Sequence, residues 1–196
     1  MDKTNEKYNA YIQILKEELI PAMGCTEPIA LAYAAAVARK VLGQLPERVD
    51  IGASGSIIKN VKSVIVPNTD HLKGIPAAAT AGIIAGDPDK ELEVIASVTK
   101  EQVEEMKEFL KKTPISVDNG LTFDIIVTLY KGDEYAKVRI ANYHTNIVLI
   151  EKNGEILEQT EVAGETEEGL TDRSLLNMKD IWDFINTVDV EDVKEV

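Results

Sequence analysis

The hydrophobic positions near the start of the chain follow helical spacing. Apolar side chains recur every three or four residues at Tyr8, Tyr11, Ile12, Leu15 and Leu19. This spacing predicts an amphipathic helix, which Pro21 and Gly24 bring to an end. The next segment, from Ile29 to Leu42, is apolar nearly all round. It therefore predicts a buried helix, closed by Gly43.

From residue 48 onward the apolar positions alternate with a period of two, which predicts strands. A first strand carries Val49, Ile51 and Ala53, and residues 64–66 form a second short strand before Pro67. Later alternation, with turn residues between the segments, predicts an antiparallel meander with strands at 123–129, 135–140, 147–150 and 155–160.

Further helices are expected around these strands. Pro76 is placed to open a helix of small residues, and Asp87 followed by proline is typical of another helix start. Thr99 and Gln102 form a capping box ahead of a third helix. After an acidic linker at 161–169, a last helix is expected to carry on one face Met178, Ile181, Trp182, Ile185 and Val188. The predicted fold class is α+β, with buried N-terminal helices, an antiparallel sheet and further packing helices.

Charge and composition exclude several classes of function. Aspartate and glutamate number 34 against 21 lysines and arginines, a net charge of −13, and no basic run is present to follow a nucleic-acid backbone. The longest apolar stretch is much shorter than the roughly 20 residues of a membrane span, and the polar N-terminus does not resemble a secretory signal. A cytoplasmic location is the expectation, with no nucleic-acid or membrane partner.

The only cysteine, Cys25, stands directly before the second predicted helix. Thr26 is expected to cap that helix, and Pro28 suits its first turn. The free N–H groups and partial positive charge of a helix N-terminus favour the thiolate, the form that binds metal or attacks. Glu27 is a candidate acid or base beside it. The plainer interpretations are a small buried cysteine and a glutamate favoured by the helix dipole.

A polar segment between the first two predicted strands offers hydroxyl groups, backbone N–H groups and a cation. It contains Ser54, Ser56, Lys59 and Asn60. This set suits a carboxylate or a phosphate, although it lacks the pattern of a phosphate-binding loop. An ordinary turn between strands explains the same residues.

Two more segments carry candidate site residues. Asn68 and Thr69 precede the helix opened by proline, where an anion would be stabilised, although a polar loop is the plainer explanation. His144 lies at a predicted strand end and is a candidate general base near neutral pH. A capped turn that uses Thr145 and Asn146 explains that segment equally well.

Five blocks of the chain occur in a recognisable order: Pro21-Ala22-Met23-Gly24-Cys25-Thr26-Glu27-Pro28, Lys59-Asn60, Val66-Pro67-Asn68-Thr69, Gly74-Ile75-Pro76-Ala77-Ala78 and His144-Thr145-Asn146-Ile147. Together they resemble the iron–sulfur L-cysteine desulfidases, a family similar to the α chains of bacterial iron–sulfur L-serine dehydratases. The resemblance covers nearly the whole chain. Members of that family are longer, however, and carry further cysteines in a C-terminal half.

The resemblance implies a lyase of amino-acid catabolism. L-cysteine would undergo α,β-elimination to hydrogen sulfide and an aminoacrylate, which hydrolyses to pyruvate and ammonia, without pyridoxal phosphate. Cys25 would be one ligand of a 4Fe-4S cluster whose remaining ligands lie outside this chain. One iron without a cysteine ligand would act as a Lewis acid.

The remaining roles are hypotheses from residue chemistry. We expect His144 to be the base or a substrate contact, with Glu27 as a second catalytic candidate. The residues expected to bind substrate are Thr26, Ser54, Ser56, Lys59, Asn60, Asn68, Thr69 and Asn146.

The domain prediction is an N-terminal α+β domain at 1–188 and, at 189–196, a truncated connection to a missing C-terminal domain. That domain and a small amino acid are the expected partners, this chain alone is expected to be inactive, and a homo-oligomer is left open. Two alternatives remain: an L-serine dehydratase-type lyase, and a non-catalytic regulatory domain that binds an amino acid.

Overall fold

The computed structural model describes residues 1–19, 21–121, 124–162, 171–194 and 196. It divides into two compact units. The central unit is Ala22–Val162, and the terminal unit joins Met1–Pro21 to Ala163–Val196. The fold class is α+β, as the sequence predicts, with helices packed against a six-stranded sheet. Within the described residues no helix is both long and apolar enough to cross a membrane.

The sheet belongs to the central unit. Its strands are β1 (Arg48–Ser54), β2 (Ile115–Leu121), β3 (Asp124–Lys131), β4 (Glu134–Ala141), β5 (Ile147–Lys152) and β6 (Glu155–Gln159). They lie in the order β2-β1-β3-β4-β5-β6, in which the predicted antiparallel meander runs from β3 to β6. The predicted Phe123 lies outside the described residues. Strand β2 was not predicted, and it makes the sheet mixed because it pairs with β1 in parallel.

The helices of the central unit are α2 (Thr26–Leu42), α3 (Gly55–Val61), α4 (Gly74–Ala85) and α5 (Lys100–Lys112). Helix α2 packs against α4 and against β3 and β4, so it is buried almost throughout, as its apolar sequence predicts. The predicted capping box of α5 is present. Helix α4 begins at Gly74, two residues before the proline expected to open it, and a short 3-10 helix follows at Pro88–Glu93.

Three local predictions differ from the structure. The N-cap of α2 is Cys25 rather than Thr26, which already has helical geometry. Residues 64–66 form only an isolated bridge, Ile65 with Lys73, because the chain turns back within a few residues. The segment after β1 is neither an open loop nor a strand-to-strand turn. It is helix α3, which begins there because the Ser54 hydroxyl caps the N–H of Ile57.

The terminal unit is built around helices α1 (Glu6–Glu18), α6 (Met178–Thr187) and α7 (Val190–Val193). Phe184 packs edge-on against two tyrosines of α1, with ring centroids 5.6 Å from Tyr8 and 5.4 Å from Tyr11. The predicted apolar face of α6 is wrong in part. Ile181 and Val188 face this small core, but Met178, Trp182 and Ile185 are exposed because the contact centres on Phe184. Of the predicted acidic linker, residues 163–169 lie outside the described residues.

A partly buried ion pair links the two segments of the terminal unit and predicts acid sensitivity. Glu17 pairs with Arg173 and accepts hydrogen bonds from Thr171, and these contacts, led by Arg173, lower the pKa of Glu17 from 4.5 to about 2. The unfolded chain therefore binds more protons than the folded one between these values, so stability falls as the pH drops through that window. Denaturant unfolding followed by circular dichroism from pH 6 to 2 should show this fall.

The matched variant for that measurement is Glu17→Gln, which has no carboxyl group to titrate. It should be less stable than the wild type at pH 6 and should show a flatter dependence on pH between 4.5 and 2. Equal pH dependence in the two proteins would contradict the assignment.

Candidate functional site

The first component of the site is a turn that holds Cys25 at the start of α2. Gly24 precedes it with a φ of +94°, in the left-handed region that favours glycine. A Cβ added at Gly24 would lie in ordinary contact with the Pro67 ring, at 3.9 Å. The N–H of Met23 donates to the carbonyl oxygen of Leu92 at 3.2 Å. The Met23 hydrogen bond and the left-handed Gly24 fix the course of the chain just before the cysteine, and Cys25 is exposed.

The thiol of Cys25 makes no capping bond to the helix and interacts with Glu27 instead. Its Sγ donates to Glu27 Oε2 at 2.9 Å. The pKa of the Cys25 thiol is raised. The larger cause is partial desolvation where the residue contacts the protein, and the second is the Glu27 carboxylate. Desolvation and the neighbouring carboxylate together outweigh the effect of the helix N-terminus, so the expected thiolate is not favoured.

Glu27 connects α2 to α3. Its second oxygen, Oε1, accepts a hydrogen bond from Asn60 Nδ2 at 3.0 Å. The hydrogen bond from Cys25, joined by the one from Asn60 and by the charge of His144, lowers the pKa of Glu27. Glu27 is thus an ionised carboxylate that accepts a hydrogen bond from the Cys25 thiol on one oxygen and from the Asn60 amide on the other.

The loop between β4 and β5 brings a histidine to the same place. The Thr26 hydroxyl lies 3.4 Å from His144 Nε2, and either group is the donor according to the protonation of the ring. Asn146 donates from Nδ2 to the carbonyl oxygen of Ala141 at 2.9 Å, and Asn142 has a φ of +66°. These two features shape the tight loop that presents the imidazole.

A small apolar cavity of about 10 Å³ adjoins the histidine loop and is lined in part by Ile57, Ile125 and Ile140. That volume holds a single water molecule at most. An amino acid is too large for this cavity. We define the Cys25 cluster as Cys25, Thr26, Glu27, Asn60 and His144.

The other predicted substrate contacts have different surroundings. Ser54 is fully buried, and its oxygen lies 2.9 Å from Ser56 Oγ while capping α3. Ser56 and Lys59 are exposed on α3, the helix that carries Asn60. For Ser54, Ser56 and Lys59 a role in substrate binding stays a prediction, and the buried hydroxyl of Ser54 serves the fold in this structure.

Asn68, Thr69 and Asn146 have their side chains engaged with backbone carbonyl groups. Asn68 donates to the oxygen of Ile95 at 3.1 Å, and the buried hydroxyl of Thr69 donates to that of Val66 at 2.7 Å. Their predicted contact with substrate is likewise untested, and these bonds hold loops in shape.

Sequence reasoning named every member of the Cys25 cluster but missed what connects them. Asn60 was expected to contact substrate, whereas its amide holds Glu27. Gly24 is predicted only to end the first helix, whereas its positive φ forms the turn directly before Cys25. The sequence signal for the turn is a glycine directly before the lone cysteine. No local pattern signals the hydrogen bond between Asn60 and Glu27. Within the described residues no group of three or more His, Cys, Asp or Glu side chains is placed to hold a metal ion.

Comparison with known proteins finds relatives named UPF0597 protein. One from Desulfitobacterium hafniense (strain Y51) is 54% identical over 202 residues, which cover 100% of this chain and 46% of the relative. One from Treponema denticola is 46% identical over 200 residues, again 100% of this chain and 46% of the relative. One from Lachnoclostridium phytofermentans is 44% identical, covering 96% of this chain and 46% of the relative.

The chain spans about half the length of these curated relatives. Their shared name describes no reaction, ligand or partner. No family model matches the chain. No solved structure matches it either.

Proposed function

We propose that this chain is the N-terminal part of an iron–sulfur-dependent L-cysteine desulfidase, with the Cys25 cluster as its contribution to the active site. One observation carries the proposal. Three of the five sequence blocks that resemble the desulfidases meet at the start of α2, where Asn60 donates to Glu27 and His144 lies against Thr26, the two residues that follow Cys25. Asn60 and His144 are distant from Cys25 in sequence, and each contacts one of the two residues that follow the cysteine.

The donor set fits one corner of a 4Fe-4S cluster rather than a complete site. Such a cluster is usually held by several thiolates, and this chain has one cysteine. Cys25 would hold the 4Fe-4S cluster from an exposed position at the start of α2, with the other ligands supplied from outside this chain. When bound, the cluster would supply a Lewis acid for the departing sulfur.

The residues of this chain would handle protons and orientation. His144 would take the α-proton of the substrate on an imidazole ring that the Thr26 hydroxyl holds in place through Nε2. Glu27 would hold the Cys25 sulfur in place at the start of α2, and Asn60 would keep that carboxylate turned toward the sulfur. The exposed Lys59, beside Asn60 on α3, suits the substrate carboxylate.

The elimination balances without an external oxidant or reductant. The α C–H bond and the β C–S bond of L-cysteine break, and the electron pair of the C–H bond forms the new carbon–carbon double bond. The sulfur leaves with the pair of the C–S bond and is protonated to hydrogen sulfide. Water then converts the aminoacrylate to pyruvate and ammonia.

The experiment that tests this function uses the complete polypeptide encoded by the reading frame that contains this chain. It is reconstituted anaerobically with iron and sulfide, and its visible absorption is recorded. Sulfide and pyruvate released from L-cysteine are then measured in parallel with pyruvate released from L-serine. Equal amounts of sulfide and pyruvate from cysteine support the desulfidase, whereas turnover of serine alone supports the dehydratase. Binding of L-cysteine without turnover would replace the proposal with an amino-acid-binding module.

The proposed role of His144 makes a separate prediction. His144→Gln in the reconstituted complete polypeptide should lower kcat for sulfide release by about 100-fold or more, the usual contribution of a general base. The visible absorption of the cluster should be unchanged, because this side chain is not a proposed ligand. Tyr143→Phe is the matched control, since the exposed neighbouring ring lies outside the proposed machinery. A kcat within twofold of the wild type for His144→Gln would show that another group takes the proton.

A further inference from the structure

Helix α6 carries an apolar stripe that faces solvent. Met178, Trp182 and Ile185 are 81%, 69% and 57% exposed. They are spaced by four and then three residues, so they form one continuous ridge along the helix. We call these three residues the α6 stripe. A contiguous apolar surface, unlike single scattered apolar residues, is typical of an interaction site.

The core beneath this helix is small. Within the described residues its fully buried apolar side chains are Tyr8, Tyr11, Ile14 and Phe184, and the seven others packed against them, Met1, Ile12, Leu15, Leu175, Ile181, Val188 and Val193, are only partly buried. A unit with so little buried apolar area gains little free energy from folding, and small units normally need additional packing or cross-links. The lone cysteine of the chain lies in the central unit, so no disulfide supplies the difference.

The terminal unit is also assembled from the two ends of the chain, with the whole central unit between them in sequence. Relatives align with all of this chain and yet are more than twice as long, since the match covers 46% of their length. Their remaining polypeptide is therefore long enough to supply additional helices to the terminal unit.

We propose that the α6 stripe is the docking surface for a helix from that remaining polypeptide, so that α1 and α6 belong to a helical domain interrupted by the central unit. A helix is the fitting occupant because a ridge at four-and-three spacing packs into the groove of another helix and offers no backbone edge to a strand. A second copy is disfavoured, because each chain carries a net charge of −13. This inference is independent of the proposed chemistry.

The test is hydroxyl-radical footprinting of the wild-type complete polypeptide, read residue by residue by mass spectrometry. After correction for intrinsic reactivity, Met178 and Trp182 should be oxidised about tenfold more slowly than the exposed Tyr143. Oxidation of both stripe residues at the rate of exposed side chains would overturn the proposal. Protection that disappears on dilution to the monomer would assign the stripe to a second copy, and a reading frame ending near Val196 would also overturn it.

Two variants of the complete polypeptide sharpen the result. Trp182→Glu places a charge in the α6 stripe and should raise the oxidation of Met178 about tenfold by opening the contact. Lys179→Glu places the same charge on an adjacent, exposed position of α6 and should leave Met178 protected. If Trp182→Glu does not fold, the wild-type footprint decides alone. The footprint is read without any activity, so its outcome and that of the desulfidase assay are separable.

Discussion

Cys25→Ala should abolish both the visible absorption of the reconstituted cluster and the release of sulfide from L-cysteine by the complete polypeptide. The reason is chemical, because alanine has no ligand atom and this chain has no second cysteine to take its place. We expect sulfide release to fall to the background of the assay. The measurement is anaerobic reconstitution followed by visible absorption and a sulfide assay, with wild type and variant side by side.

Cys25→Ser is the matched variant that separates ligation from folding. Cys25 is the N-cap of α2 and makes no capping bond, whereas serine is among the best N-cap residues. The serine variant should therefore fold at least as stably as the wild type and should still fail to release sulfide. Loss of activity with unchanged stability assigns the defect to the missing thiolate.

Sulfide release that survives Cys25→Ala undiminished would contradict the cluster mechanism. The Cys25 cluster would then be a structural arrangement, and an amino-acid-binding regulatory domain would become the better account of the chain. Failure of the wild-type protein to form an iron–sulfur cluster would also contradict the cluster mechanism.

Gly82→Ala should destabilise the central unit by about 3 kcal/mol or more, at the upper end of the cost of overpacking. Helices α2 and α4 approach so closely that a Cβ on Gly82 would lie 2.0 Å from the carbonyl oxygen of Ala32. That oxygen belongs to a buried helix backbone, which cannot move aside as the end of a flexible side chain can. Thermal unfolding should show a large fall in Tm or loss of the folded protein.

The control for that substitution is Gly132→Ala in the turn between β3 and β4. Gly132 has a φ of +56°, and a Cβ there would meet nothing within 4 Å. It should cost only about 1 kcal/mol, the strain of placing alanine in left-handed backbone. Similar losses for the two variants would show that backbone strain, rather than helix contact, sets the cost at Gly82.

The local pattern of apolar residues is sufficient to predict some elements of the fold. The apolar sequence of α2 predicts a buried helix, and the alternation from β3 to β6 predicts the meander. Strand β2 and helix α3 were missed because β2 sits at the sheet edge without sustained alternation and α3 has only seven residues. A helix of seven residues contains too few turns to show helical spacing, and for both elements the partners in the fold decide the form.

For the candidate site, too, some features can be read from the sequence and others depend on the tertiary structure. The residue types of Cys25, Glu27 and His144 indicate thiol, carboxylate and imidazole chemistry from the sequence alone. Their connection is a tertiary result, since Thr26 and His144 are 118 residues apart and Glu27 and Asn60 are 33 apart. The lower pKa of Glu27 comes first from the hydrogen bond of Cys25, to which the contacts with Asn60 and His144 add, whereas the higher pKa of Cys25 comes from desolvation and then from Glu27.

By itself, the sequence determined the buried second helix, the capping box of α5, the turn residues of the meander and which residues are candidates for a site. These depend on contacts within a few residues, so the local pattern is sufficient. Only the tertiary structure decided which face of α6 is covered, how Asn60 is used, and that β2 pairs in parallel with β1. Each depends on contact between segments distant in sequence, and the free energy of such contacts is absent from any local window.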